Sequence, residues 1–311
     1  MSQGDLLSDR KRLKRGLNSW RSVAILAVVV ALVVTAQSYS GAPGVKGTMP
    51  GKAYIAQITV ESMMLDDPKR DALLQEIADD KHAKALLVRL NSPGGTTVAG
   101  EELYLQLRKV AKKKPVIGVM RTVCASACYM ASLGADHVIA REGTLTGSIG
   151  VLLQSVEVSE LAKKLGVEAI TITSGKYKDV PSMTKKFTDE ERTVVRQLVD
   201  DAYGFFVDLI VARRQLEPAR VRELADGRVY TGRQALPLKL IDGLGGVDEA
   251  KDWLEREKKL PKGLEIREMD SKPQFESLFT QLSQWTGVKI FGHPTVALDG
   301  LISMWQHPLT Q

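Results

Sequence analysis

Residues 85–95 read Ala85-Leu86-Leu87-Val88-Arg89-Leu90-Asn91-Ser92-Pro93-Gly94-Gly95. A short Leu- and Val-rich run closed by Pro and Gly reads as a strand that ends in a tight turn. Outward from it, Leu103, Leu107 and Val110 recur at helical spacing, and Pro115–Met120 begins another strand. Upstream, Tyr54–Val60 reads as a strand and Pro68–Ala78 as a helix opened by Asp67 and Pro68. Downstream come a helix near Ser126–Leu133 and a short strand at His137–Ala140. Alternation of this kind predicts an α/β fold with a largely parallel sheet, whose sites lie beyond the carboxyl ends of strands. Gly94-Gly95 and Ser126 fall there.

Residues 188–214 read as one long helix, opened by Thr188 with Glu191 three residues on, a capping box. Its Val194, Val195, Leu198, Ala202, Phe205 and Phe206 are expected to face the core or a neighbouring subunit. After Gly246 the pattern loosens. Phe275, Leu278, Phe279, Leu282 and Trp285 return at helical spacing, a stripe expected to pack on its own domain, and no internal repeat is present.

The formal charge of +6 is unevenly placed. Residues 1–21 hold six basic and two acidic side chains, and the remaining 37 basic and 35 acidic residues nearly cancel, which argues against nucleic acid as a partner. After this basic start, Ser22–Ala36 carries no charge and no helix breaker; with the polar residues that follow, 22–40 is expected to be a transmembrane anchor. The positive-inside rule then leaves residues 1–21 in the cytoplasm and exports the rest. Val34-Thr35-Ala36 also fits a signal-peptidase site, but the long polar start favours a retained anchor. Residues 41–52 follow as a Gly- and Pro-containing linker, and the folded domain begins near Ala53.

Cys124 and Cys128 stand four apart in a stretch that reads as helix. Regular helix geometry does not favour bonding their sulfurs, so two small buried side chains are expected. His82, His137, His293 and His307 follow no ligand spacing, so no metal is expected, and no organic cofactor is indicated.

The chemistry-bearing residues gather around the strand ends. Asn91–Gly95 follows a strand and precedes a helix, so its amides can converge as an oxyanion hole or form a plain turn. Cys124-Ala125-Ser126-Ala127-Cys128-Tyr129 sets a serine among small residues where strand gives way to helix, either as nucleophile or as N-cap. A nucleophilic serine needs a base. His137 lies on a strand, where a packed imidazole is expected. Lys176 and Lys178, in Ser174-Gly175-Lys176-Tyr177-Lys178-Asp179, are the other candidates, and a lysine serves only if neutral. Ser148, in Gly147-Ser148-Ile149-Gly150, supplies a hydroxyl to orient one of them.

Taken in order, Asn91–Gly95, Ala125-Ser126, Thr144–Val151 and Ser174–Asp179, with Gly227–Ala235 and Leu240–Gly246 behind them, resemble the signal peptide peptidase A family over about residues 53–255. The resemblance implies a crotonase/Clp-protease-like α/β core of stacked ββα turns and a serine endopeptidase. By position it makes Ser126 the nucleophile and Lys178 the general base, with Lys176 a decoy and Ser148 the residue that contacts the lysine. It assigns Gly94, Gly95 and Ala127 to the oxyanion. It further implies a homo-oligomeric ring with each dyad shared between adjacent subunits, sited in a bacterial inner membrane with the catalytic domain on the periplasmic side. Substrates would be signal-peptide remnants and other short apolar peptides, with general envelope proteolysis or a non-catalytic scaffold as rivals. The paired cysteines around Ser126 depart from the family's usual Gly or Ala. Residues 256–311 are expected to form a C-terminal helical extension beyond the matched region.

Overall fold

The structure is a computed structural model that describes residues 51–269 and the strand at 302–304. In chain order its first half comprises β1 (Tyr54–Glu61), α1 (Pro68–Asp79), β2 (Ala83–Ser92), β3 (Gly94–Thr96), α2 (Thr97–Ala111), β4 (Val116–Ala125) and α3 (Ala127–Ser132). Next come β5 (His137–Ala140), β6 (Leu145–Gly147), α4 (Ser159–Lys164), α5 (Asp189–Arg214) and α6 (Pro218–Leu224). The last are β7 (Val229–Thr231), α7 (Gly232–Ala235), β8 (Gly243–Leu244), α8 (Val247–Glu257), β9 (Glu265–Glu268) and β10 (Ile302–Met304).

β9, β1, β2 and β4 run parallel, side by side. β4 has two successive partners on its far edge. Ile117–Met120 pairs with β5, and Val123–Ala125 pairs with β6. The second pairing holds the chain extended beyond Met120, so the strand runs five residues further than its apolar pattern predicted. β7 joins β6 antiparallel, and β10 pairs antiparallel with β3.

Alternation along the strands sorts side chains to two covered faces. Tyr54, Ala56, Ile58, Leu86, Val88 and Leu90 pack with Leu73, Leu74 and Ile77 of α1 and Leu103, Leu107 and Val110 of α2. Ile55, Ala85, Leu87, Ile117 and Val119 pack on Ala250 and Leu254 of α8. The helices start where the capping residues predicted. Asp67 Oδ1 accepts from the Arg70 amide at 3.0 Å, and Thr188 Oγ1 accepts from the Glu191 amide at 3.2 Å while Glu191 Oε2 accepts from the Thr188 amide at 2.9 Å.

The α/β expectation therefore holds, with corrections. The loosened pattern after Gly246 hides α8 and β9, which close one face and one edge of the sheet. Their polar outer faces dilute the apolar signal. Of the six apolar residues of α5 expected to face the core or a neighbouring subunit, Phe206 is fully buried in the core, while Leu198 and Phe205 are 54% and 38% exposed. The expected segments 1–21 and 22–40, nearly all of the linker and most of 256–311, including its apolar stripe, lie outside the described residues.

The transmembrane part of the expected architecture is also corrected. Among the described residues no helix is long and apolar enough to cross a membrane. α5 is long enough at 26 residues, but charged side chains recur along it from Asp189 to Arg214. The uncharged run Ser22–Ala36 is itself short of the roughly 20 residues that span a bilayer. The reading of a membrane-anchored enzyme held by residues 22–40, sited in the inner membrane with a periplasmic catalytic domain, is accordingly withdrawn. The expected cleavage of signal-peptide remnants in or near a membrane is corrected with it.

Candidate active site

β2 and β4 end together, with Ser92 opposite Cys124. Two residues past Ser92 comes Gly94, and two past Cys124 comes Ser126, so the parallel register alone brings the glycine turn and the serine to one end of the sheet. β6 supplies the third part. Ala125 lies opposite Gly147, which sets Ser148 alongside Ser126.

Ser126 turns the chain from β4 into α3 at φ 58° and ψ −120°, a conformation that costs an L-residue about 1–3 kcal/mol. Its surroundings hold it there. The Ser126 amide donates to Gly147 O at 2.8 Å, and Ser126 O accepts from the Met130 amide at 2.9 Å. Thr146 Oγ1 donates to Cys124 O at 2.7 Å, tying β6 to the last turn of β4. The Ser126 side chain makes no capping bond to α3, so the plain N-cap reading fails. The residue is 1% exposed.

Behind the serine, Tyr129 is fully buried and donates from its hydroxyl to Leu240 O at 2.9 Å, which anchors α3. Burial pushes the Tyr129 hydroxyl up from its ordinary pKa. Arg214 Nη1 donates to Asp242 Oδ1 at 2.8 Å, and Asp242 Oδ2 accepts from the Val138 amide at 2.7 Å, so the same support reaches β5.

The glycine turn is held from two sides. The Gly94 amide donates to Ser92 Oγ at 3.1 Å, and Gly94 O accepts from the Met64 amide at 2.8 Å. A Cβ on Gly95 would stand 1.9 Å from Met64 O, so only glycine lets this strand lie against residue 64. Of the three expected oxyanion donors, Gly94 already spends its N–H on Ser92. The third expected donor, the amide of Ala127, heads α3. Ser148 is 9% exposed, at φ 48°, with its amide donating to Arg228 O at 2.8 Å.

Cys124 and Cys128 form a disulfide, contrary to the expectation of two unlinked thiols. The stretch is not a regular helix. Cys124 is the penultimate residue of β4 and Cys128 the second of α3, and the reversal at Ser126 brings their Cα atoms to 5.1 Å, within disulfide range.

The candidate bases are scattered. His137 pairs with Ile117 at the start of β4, eight residues from Ala125 and so roughly 25 Å from the serine end at the rise of an extended strand. It stacks on Trp253 at 4.5 Å, and burial lowers its pKa. Lys176 Nζ lies 2.6 Å from Glu190, a pairing that raises its pKa and keeps it charged. Lys178 stands exposed in a turn closed by its amide bond to Gly175 O at 3.1 Å. The fold thus brings Ser126, Ser148, Gly94, Gly95 and Ala127 together within the chain, and leaves Lys178 on an exposed segment. Among the described residues no three His, Cys, Asp or Glu side chains are grouped to hold a metal ion.

Two contributors were not singled out from sequence. Ser92 fixes Gly94, and the carbonyl of Gly147 orients the serine backbone. Gly147 sits at φ 83°, where a Cβ would meet the Tyr230 ring at 2.6 Å, so its neighbour Ser148 depends on a glycine at that place.

The profile of peptidase family S49 matches residues 108–261. The chain is 38% identical over 200 residues to "Putative protease slr0021" of Synechocystis sp., covering 64% of this chain and 72% of that one. The chain belongs to peptidase family S49. As a member it is a serine endopeptidase. It is also 36% identical over 219 residues to "Putative signal peptide peptidase SppA" of Enterococcus faecium and 31% identical over 222 residues to "Serine protease SPPA, chloroplastic" of Arabidopsis thaliana. These matches cover 70% and 71% of this chain but 64% and 31% of the relatives, so the chain spans less than two thirds of either. Among solved structures, a membrane-bound stomatin-specific protease aligns at TM-score 0.45 and 15% identity, covering 71% of this chain and 99% of that one. That likeness is too loose to carry an argument.

Proposed function

We propose that this S49 peptidase cleaves peptides through Ser126 as nucleophile and Lys178 as general base, the lysine reaching the serine from a neighbouring copy of the chain. The observation that carries this reading is the contrast between the two residues. Ser126 is 1% exposed and braced by three elements, whereas Lys178 is exposed on a segment whose Leu165, Val167, Ile170 and Ile172 are 70%, 58%, 84% and 95% exposed. Apolar side chains in such number seek cover, and a second copy supplies it.

On docking, the lysine comes against the turn at Ser126, whose neighbours Ala125 and Ala127 are buried, and loss of water there favours its neutral form. Neutral Lys178 takes the Ser126 proton as Oγ attacks the scissile carbonyl, and Ser148 holds the ammonium that results. The amides of Gly95 and Ala127 bind the oxyanion. Lys178 then protonates the leaving amine, and water, activated in the same way, releases the acyl group.

The test is complementation. Ser126→Ala and Lys178→Ala, each inactive on a fluorogenic peptide, are unfolded together and reassembled. Recovery of activity toward a quarter to a half of wild type supports sharing between copies. An inactive mixture, with mixed oligomers shown by mass spectrometry, refutes it.

A further inference from the structure

We infer that the Cys124–Cys128 disulfide is a positioning device for the nucleophile, and that it makes acylation of Ser126 depend on the oxidation state of this pair. The proposal rests on Ser126 being the nucleophile. The bridge joins the residue two before the serine to the residue two after it, and no free cysteine remains. Between the two sulfurs the chain must leave a strand, reverse at a left-handed serine and enter a helix. A conformation of that cost persists only where its surroundings over-determine it. Gly147 O and the Thr146 hydroxyl hold the backbone of the turn from β6, and the Met130 amide holds it from α3. The disulfide adds a covalent tie that spans the turn and joins its two ends to each other. Helix propagation supplies little, because α3 is six residues long.

Both cysteines are fully buried and lie in the same packed layer as Ala127, Tyr129 and Met130. The bridge therefore acts from inside the core, facing away from substrate. Its loss leaves the peptide-binding surface in place and loosens the placement of Ser126 Oγ against the oxyanion donors. A reacting atom displaced by about 1 Å loses about a hundredfold in rate, so a partial loosening is expected to slow acylation about tenfold. The change is reversible in chemical terms. A dithiol reductant attacks one bridge sulfur as its thiolate and breaks the S–S bond, giving a mixed disulfide. Its second thiol then displaces the cysteine, leaving two cysteine thiols in the protein and a cyclic disulfide from the reductant, with two electrons passed to the pair. Because the sulfurs are buried, exchange follows opening of the turn and is slow.

The experiment measures labelling of the full chain by a fluorophosphonate, and kcat and KM on a fluorogenic peptide, in three forms. These are the protein as isolated, the protein held with a dithiol until two thiols titrate, and Cys124→Ala/Cys128→Ala. Reduction and the double substitution are expected to slow labelling and lower kcat by about tenfold, with KM unchanged. Reoxidation restores the first form, and the double variant ignores the dithiol. If the bridge merely staples the fold, its loss lowers the melting temperature and leaves labelling unaltered well below it; that result, or two titratable thiols in the active isolated protein, overturns the inference. Ser126→Ala separates the two proposals. If the isolated wild type labels equally with this variant, the nucleophile assignment fails; if it labels at Ser126 but at one rate in both redox states, only the bridge's role fails.

Discussion

The segment around Ser126 and the segment around Lys178 are built on opposite physical terms. Residues 124–135 are all buried, wedged between strands and helices, and hydrogen-bonded at both ends of the turn. Residues 165–178 are exposed throughout, and α4 just before them buries only Ser159. One half of the proposed dyad is thus finished by folding, and the other is displayed. The difference teaches that burial of Ser126 is an intramolecular event, while on the reading proposed above burial of Lys178 is left to association.

The comparison breaks first at the lysines. Lys178→Ala is expected to lower kcat/KM by about a thousandfold or more, in line with removal of a base that acts as a unit with its nucleophile, whereas Lys176→Ala stays within about threefold of wild type. Turnover on a fluorogenic peptide reads both, and the reverse pattern would make Lys176 the base despite its pairing with Glu190. Next comes the rigid half. Gly95→Ala forces a Cβ against Met64 O and is expected to cost about 1–3 kcal/mol of stability in denaturant melts, with activity falling faster than stability because an oxyanion donor moves.

The displayed half answers to concentration instead. Ile170→Asp/Ile172→Asp is expected to leave the melting of the core unchanged and to raise by about tenfold the protein concentration needed for half-maximal specific activity, with a matching loss of large species in sedimentation. The smallest effect lies far from both halves. Burial lowers the pKa of His137 in the folded state, so folding favours the neutral ring. That contribution is whole above the unfolded value of 6.5 and is lost as pH falls through the folded value, at up to about 1.4 kcal/mol per pH unit. His137→Phe is expected to flatten the stability profile in that window and leave kcat alone.

Much of the fold was legible in the chain because its signals are local. The strands at 54, 85 and 137, the helices opened by Asp67 and Thr188, and the turn at Gly94-Gly95 each announce themselves within a few residues. α8 and β9 were missed because half-polar elements at an edge carry weak periodicity. The disulfide was missed because two cysteines four apart look alike in a helix and across a strand-to-helix reversal, and only the pairing of β6 with Val123–Ala125 decides for the latter. The expected membrane helix rested on composition alone, and no described helix bears it out.

By itself the sequence determined an α/β peptidase of the S49 type and the candidates Ser126, Lys176 and Lys178 for its site, since residue type, order and spacing are written in it directly. The tertiary structure decided that Gly94 is spent on Ser92, that the cysteines meet, and that His137 and Lys176 are engaged elsewhere. Those are contacts between residues from 2 to more than 100 positions apart, and only the register of parallel strands and the packing of helices across them sets such distances.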